Sequence, residues 1–144
     1  MKLSNPPLIS HLGHGWCRGT LNLRQIRLSS NNSNFMYFDD KMLIGKKDDK
    51  SDICDVLVFV RRDIEEVVIP SFIDVIGPYA FSNSKLEEIV IPPKVTRICE
   101  CAFYSCKNLK KVTISQNSSL ETIEKNAFLK ASISDIQIPS HDKQ

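Results

Sequence analysis

Glycine is scarce in this chain, five residues among 144, which leaves little room for a glycine-rich loop that cradles phosphates. Long apolar runs are missing too. The longest, such as residues 56–60, hold about five residues, against the roughly 20 that a helix needs to cross a bilayer. The opening MKLSNPPLISHLG is interrupted early by prolines and polar residues. It lacks the apolar core of an export signal, so neither a signal peptide nor a membrane anchor is expected. Charge of one sign is also lacking: 19 basic residues are interspersed with 17 acidic ones for a net charge of +2. Such a balance gives no strong field to attract nucleic acid or an anionic membrane.

The five cysteines, Cys17, Cys54, Cys99, Cys101 and Cys106, are odd in number and irregular in spacing. They do not read as a disulfide framework, and a reducing compartment or unpaired buried thiols fits them better. Cys99, Cys101 and Cys106 form C-x-C-x4-C, but no histidine lies between residues 15 and 140 to complete a zinc site, so no metal is expected. His11 and His14 stand near Cys17, which offers a base and a thiol. No orienting acid or oxyanion motif accompanies them, and no catalytic residue, enzymatic activity or cofactor is expected. Two tripeptides, Asn31-Asn32-Ser33 and Asn117-Ser118-Ser119, fit the glycosylation pattern, which matters only for a secreted chain.

What the chain does have is a repeat. Ile64, Val67, Ile69 and Pro70 are matched by Leu86, Ile89, Ile91 and Pro92, by Leu109, Val112, Ile114 and Ser115, and by Ile133, Ile136, Ile138 and Pro139. Each complete unit carries a second set: Ile73, Ile76, Ala80, Phe81; Val95, Ile98, Ala102, Phe103; Leu120, Ile123, Ala127, Phe128. The starts at 64, 86, 109 and 133 are 22, 23 and 24 residues apart, and the length changes fall in polar stretches such as residues 116–119. A fixed period of this size means a solenoid, because one unit cannot bury its own apolar face but stacked units bury a continuous column.

Alternation at Val67 and Ile69, or Ile89 and Ile91, puts two β-branched residues on one face of a short strand. The proline that follows lacks the amide hydrogen to continue a ladder and ends the strand. Gly77-Pro78 precedes Tyr79-Ala80-Phe81, and proline is favoured at the first position of a helical turn. The spacing therefore predicts parallel strands and one short helical turn per unit, with phenylalanine as the core plug.

The first half is a degenerate version of the same pattern: Leu23, Ile26, Leu28 and Ser29 keep the first spacing, and Ile9, Leu12, Trp16 and Cys17 the second. Between them and the regular units the period lapses. Phe35-Met36-Tyr37-Phe38, the turn Asp39-Asp40-Lys41 and Met42-Leu43-Ile44 read as a β-hairpin. The charged run 46–52 reads as a solvated loop, and residues 53–60 as a returning strand. The expected organisation is one domain over 1–144: degenerate repeats in 1–29, a hairpin insertion and loop in 30–62, regular repeats in 63–139 and a tail in 140–144.

The unit L-x-x-I-x-I-P followed by x-x-V-x-x-I-x-x-x-A-F, with Cys106 before Asn108-Leu109, closely resembles the BspA-like leucine-rich repeat, over residues 63–139 above all. That family occurs in bacterial surface antigens and is expanded in some parasitic protozoa. The resemblance implies a leucine-rich-repeat solenoid of the α/β horseshoe class, without a cofactor, that makes protein contacts, often in adhesion. It implies display at the cell surface, as a surface antigen. The absence of a visible export signal keeps open an intracellular interaction scaffold in the cytoplasm.

In such a horseshoe the strand residues that alternate with the apolar set line a concave sheet. Here they are Gln25, Arg27, Glu66, Val68, Glu88, Val90, Lys111, Thr113, Asp135 and Gln137. Their mix of acids, bases and small apolar groups suits a protein ligand better than a lipid or a nucleic acid. The exposed final strand is expected to be shielded by the tail or to pair with another copy of the chain.

Overall fold

A computed structural model describes residue 12 and residues 15–139. Ile9, His11, His14 and the tail 140–144 lie outside the described residues. Among the described residues nine strands follow one another: β1 (Phe35–Phe38), β2 (Met42–Lys46), β3 (Cys54–Val60), β4 (Val75–Ile76), β5 (Glu88–Ile91), β6 (Arg97–Ile98), β7 (Lys111–Ile114), β8 (Thr122–Ile123) and β9 (Asp135–Gln137). They form two sheets, ordered β1-β2-β3-β4-β6-β8 and β5-β7-β9. From β3 onward all pairings are parallel and join each unit to the next, as β5 to β7 and β7 to β9. This is a solenoid of stacked parallel strands.

The hairpin β1-β2 turns through Asp39 and Asp40, both left-handed with φ of 54° and 55°. Two successive residues with positive φ match the twist of a tight hairpin, and aspartate tolerates that conformation. The hairpin does not stand apart. β2 pairs antiparallel with β3, and β3 pairs parallel with β4, so the hairpin forms one end of the six-stranded sheet. Both faces of β2 are covered: Met42 and Ile44 pack into the solenoid core, and Leu43 packs with Cys17, Ile26 and Phe59.

The sequence-based expectation of a helical turn in each unit is wrong. No helix occurs among the described residues, and the segments around Ala-Phe are successive hydrogen-bonded turns. Ala80 N–H donates to Gly77 O at 3.2 Å and Ser84 N–H to Phe81 O at 3.0 Å. Tyr79 and Asn83 stand left-handed at the third position of these turns, as do Cys101 and Ser105, then Asn126 and Lys130, in the following units. Proline before a left-handed residue is turn chemistry, and Pro78 fills the second turn position rather than the first helical one. Left-handed residues without glycine cost on the order of 1 kcal/mol each. They are offset by bonds between units: Val60 N–H donates to Ala80 O, Phe81 N–H to Ala102 O and Phe103 N–H to Ala127 O, at 3.0, 2.8 and 2.7 Å. In a helix interior those carbonyls would be bonded within the unit and could not stitch the stack.

The same spacing stacks the phenylalanines. Phe81 and Phe103 lie with ring centroids 4.7 Å apart and planes within 7°, and Phe103 and Phe128 follow at 4.9 Å and 5°. These distances match the separation of neighbouring strands, so the backbone ladder sets the ring stack. Cys106, near the end of its unit, donates Sγ–H to Phe81 O of the preceding unit at 3.0 Å.

The N-terminal segment is fastened from below. Arg62 is 1% exposed, and its guanidinium donates to the carbonyls of Thr20 at 3.1 Å, Ala80 at 2.9 Å, Tyr79 at 3.2 Å and Cys17 at 3.3 Å. It lies 4.7 Å from the centroid of the Phe59 ring. Burial lowers its pKa from the ordinary value, and arginine keeps its charge in proteins nonetheless. Arg62 N–H also donates to Leu23 O at 3.2 Å, and Ile26 N–H to the Tyr37 hydroxyl at 2.6 Å.

The charged run is not uniformly solvated. Lys47 reaches Asp74, which also accepts from the Thr96 hydroxyl at 2.6 Å, and it lies 3.7 Å from Asp55. The Lys47 hydrogen bond first, and that of Thr96 second, hold the Asp74 carboxyl below its ordinary 3.8. A carboxylate depressed in the folded state adds stability that is present above its unfolded value and is lost as pH falls through the folded one. The melting-temperature gap between the protein and Asp74→Asn is therefore expected to be full at neutral pH and to narrow as pH drops below about 3.8. A gap that stays constant down to pH 2 would contradict this pairing.

Candidate protein-binding face

The alternation of β5, β7 and β9 decides which side chains reach the outer face. Ile89 and Val112 point inward and are 2% exposed. Their neighbours point out in register: Glu88 lies opposite Lys111, and Lys111 opposite Asp135; Val90 lies opposite Thr113, and Thr113 opposite Gln137. The result is one row that alternates acid, base, acid and a second row of small or neutral groups. Glu88, Asp135 and Gln137 are exposed, and Lys111 and Thr113 are half-buried.

The other four expected residues fare differently. Glu66 and Val68 are exposed, but the strand expected at Val67 and Ile69 does not form, and residues 66–70 are irregular. One donor is missing for a physical reason. Ser115 N–H closes the ladder onto Ile91 O at 3.1 Å, whereas the matching position one unit earlier is Pro92, which has no N–H to give Ile69 O. Pro139 stands at the same position in the last unit, where the pairing covers three positions instead of four. Gln25 belongs to a different cleft, about 360 Å³, with Arg24, Tyr37, Asp40 and Arg61, and Arg27 forms only an isolated bridge. The structure thus brings together six of the ten residues as a sheet face, with Glu66 and Val68 beside it.

Sequence reasoning missed the groove between the irregular segment and β5. It is about 380 Å³, walled by Val67, Val68, Ile69, Ile89, Val90 and Pro92, and Glu88 is the one charged residue lining it among the described residues. Val68 is 84% and Val90 54% exposed. The paired prolines Pro92-Pro93 were the available signal, since a proline at a ladder position marks an edge. At the far side β9 ends the sheet, with Ile136 and Ile138 55% and 69% exposed where their counterparts Ile89 and Ile91 are buried.

The cysteines are placed against chemistry. Cys17, Cys99, Cys101 and Cys106 are buried and unbridged. Burial pushes up the Cys17 and Cys106 thiols, and Cys99 to about 11, the opposite of what a nucleophile requires. No cluster of three or more histidine, cysteine or acidic residues placed to hold a metal occurs among the described residues. No helix among them is long and apolar enough to cross a membrane.

Stacked parallel strands on a repeated L-x-x-I-x-I unit, stitched by turns behind them, define a leucine-rich-repeat protein. Residues 56–144 match the BspA type Leucine rich repeat region in 6 copies, more than half of the sequence, and the chain belongs to that family. The fold is similar to that of a leucine-rich repeat protein from Eubacterium ventriosum, at 25% identity over 92% of this chain with a TM-score of 0.62. It is also similar to the pneumococcal vaccine antigen PcpA, at 20% identity over 95% of this chain with a TM-score of 0.67. The chain spans 33% and 38% of those two chains. No curated protein matches the sequence.

Proposed function

We propose that this chain is a non-enzymatic repeat module of the surface-antigen and adhesin type, and that it holds a protein ligand on the outer face of β5-β7-β9. The observation that carries this reading is the registered row Glu88, Lys111, Asp135 with Val90, Thr113 and Gln137 beside it. Alternating charge over a rigid ladder gives specificity without a strong net field, and rigid strand positions lose little entropy on binding. Surface display rests on the family resemblance; the alternative is an intracellular interaction scaffold, and the compartment separates the two.

The test joins location to surface. Protease accessibility of the tagged protein on intact cells decides whether partners are sought outside or inside the cell. The triple substitution Glu66→Lys, Glu88→Lys, Lys111→Glu is expected to abolish capture of the partners that the unmodified protein takes from that side. All three positions lie outside the core, so the fold is expected to be kept with only a modest drop in melting temperature, the drop arising because Lys111→Glu sets a carboxylate opposite Asp135. If every identified partner still binds the triple variant with unchanged affinity, this face is not the binding surface.

A further inference from the structure

We infer that two copies of this chain associate end to end about a two-fold axis, with β9 of one copy antiparallel to β9 of the other. The inference concerns self-association and holds or fails independently of any ligand on the outer face.

The last unit shows a layer of core with nothing over it among the described residues. Ile123 is 52% exposed, where Ile76 and Ile98 at the same position of earlier units are 0%, and Ile136 and Ile138 are open in the same way. Phe128 stacks on Phe103 with one face of its ring. The backbone at this end is open as well. Phe81, Asn83, Phe103 and Ser105 donate their N–H groups to the next unit, whereas the matching groups of Phe128 and Lys130 find no acceptor among the described residues. β8 and β9 are terminal strands of the two sheets, and Asp135 N–H donates to Lys110 O. In a parallel ladder the residues beside such a bonded one point the other way, so the N–H and C=O of Ile136 face the free edge. An apolar layer beside an unpaired edge is a template for a further strand.

The structure favours a second copy as that strand's source. At the other end of the stack Met42 and Ile44 of β2 cover the core and are 1% and 0% exposed. The two ends are therefore unlike, and a head-to-tail stack has no bare apolar layer to receive the next molecule. Like ends can meet, and a contact between like ends is a two-fold one that closes at two subunits. The residues of the edge fit that symmetry. An axis through Ile136 sets it against the partner's Ile136 as a hydrogen-bonded antiparallel pair, and sets Asp135 opposite the partner's Gln137. No like charges then face each other on these strands. An axis through Asp135 would bring two carboxylates together, and would ask for main-chain groups that β7 already holds.

Sedimentation velocity of the whole chain over a concentration series tests the pairing. A dimer that dissociates on dilution is expected, with the Ile136 amide protected from exchange in the dimer and fast in the monomer. Ile136→Lys, at a position 55% exposed, is expected to keep the fold and weaken the dimer at least tenfold. Gln137→Lys sets an ammonium opposite the partner's Asp135 and is expected to leave the dimer as tight or tighter. Gln137→Asp sets two carboxylates together and is expected to weaken it at least tenfold, with the melting temperature of the diluted monomer little changed. A chain that stays monomeric, with its edge open or covered by residues 140–144, overturns the inference. So does a dimer that Ile136→Lys leaves intact, or one that the two Gln137 variants affect alike.

Discussion

Replacing Phe103 by alanine is expected to destabilise the protein by about 3–5 kcal/mol, the range for emptying a fully buried phenylalanine site. Phe103 is 0% exposed and stacks on both Phe81 and Phe128. The substitution therefore removes two ring contacts and opens a cavity at the middle of the column, where close-packed neighbours relax only partly. Phe128→Ala is the internal comparison. Phe128 is half-buried and stacks on one neighbour within the described residues, so its loss is expected to be on the order of 1–2 kcal/mol. Urea titration followed by far-ultraviolet circular dichroism measures both. Equal losses at the two positions would show that the units behave independently, against the picture of a continuous stack whose stability comes from the interfaces between units.

The second large effect is expected at Arg62. Arg62→Ala should destabilise by roughly 3–5 kcal/mol, because a buried side chain and a set of charge-assisted hydrogen bonds disappear together. Arg62→Met separates the two contributions. Methionine restores most of the volume without the donors, and removing a buried charge also relieves its desolvation. The carbonyls of Cys17, Tyr79 and Ala80 keep other donors, since Thr20 N–H, Ser82 N–H and Val60 N–H reach them at 3.3, 3.2 and 3.0 Å. What disappears is the tie between Arg62 and the N-terminal segment, its bonds to the Thr20 and Cys17 carbonyls. Arg62→Met is therefore expected to cost about 2 kcal/mol, with amide exchange rising first in residues 15–28. If the methionine variant matches the unmodified protein in stability and in exchange, Arg62 acts by filling space alone.

Much of this molecule could be read before its structure. The offsets of the two apolar sets placed Ile69, Ile76, Ala80, Phe81 and most of their counterparts in the core, where the structure holds them, whereas Ile123 and Ile138 toward the end of the stack are 52% and 69% exposed. The paired aspartates placed the hairpin turn. The outward rows of β5, β7 and β9 followed from alternation alone. Three features did not follow. The local preference of Gly77-Pro78 is compatible with a helix start and with a turn, and the choice fell to bonds that Phe81 and Phe103 make with the next unit. The strand at Val67 and Ile69 had the right residues, but the ladder donor opposite it is Pro92. Arg62 reads as an ordinary surface charge, because every carbonyl it meets other than Val60 O lies at least 17 residues away in sequence.

The sequence by itself therefore determined the repeat, its core positions and the face it shows to solvent, since each unit obeys the same packing rule and writes it into its own residues. The tertiary structure decided which backbone groups pair, where the sheet stops, and what fills the space beneath the N-terminal segment. The physical reason is that a hydrogen bond between units depends on a donor supplied by a residue about 22 positions away, and no local pattern records whether that donor is present and aimed.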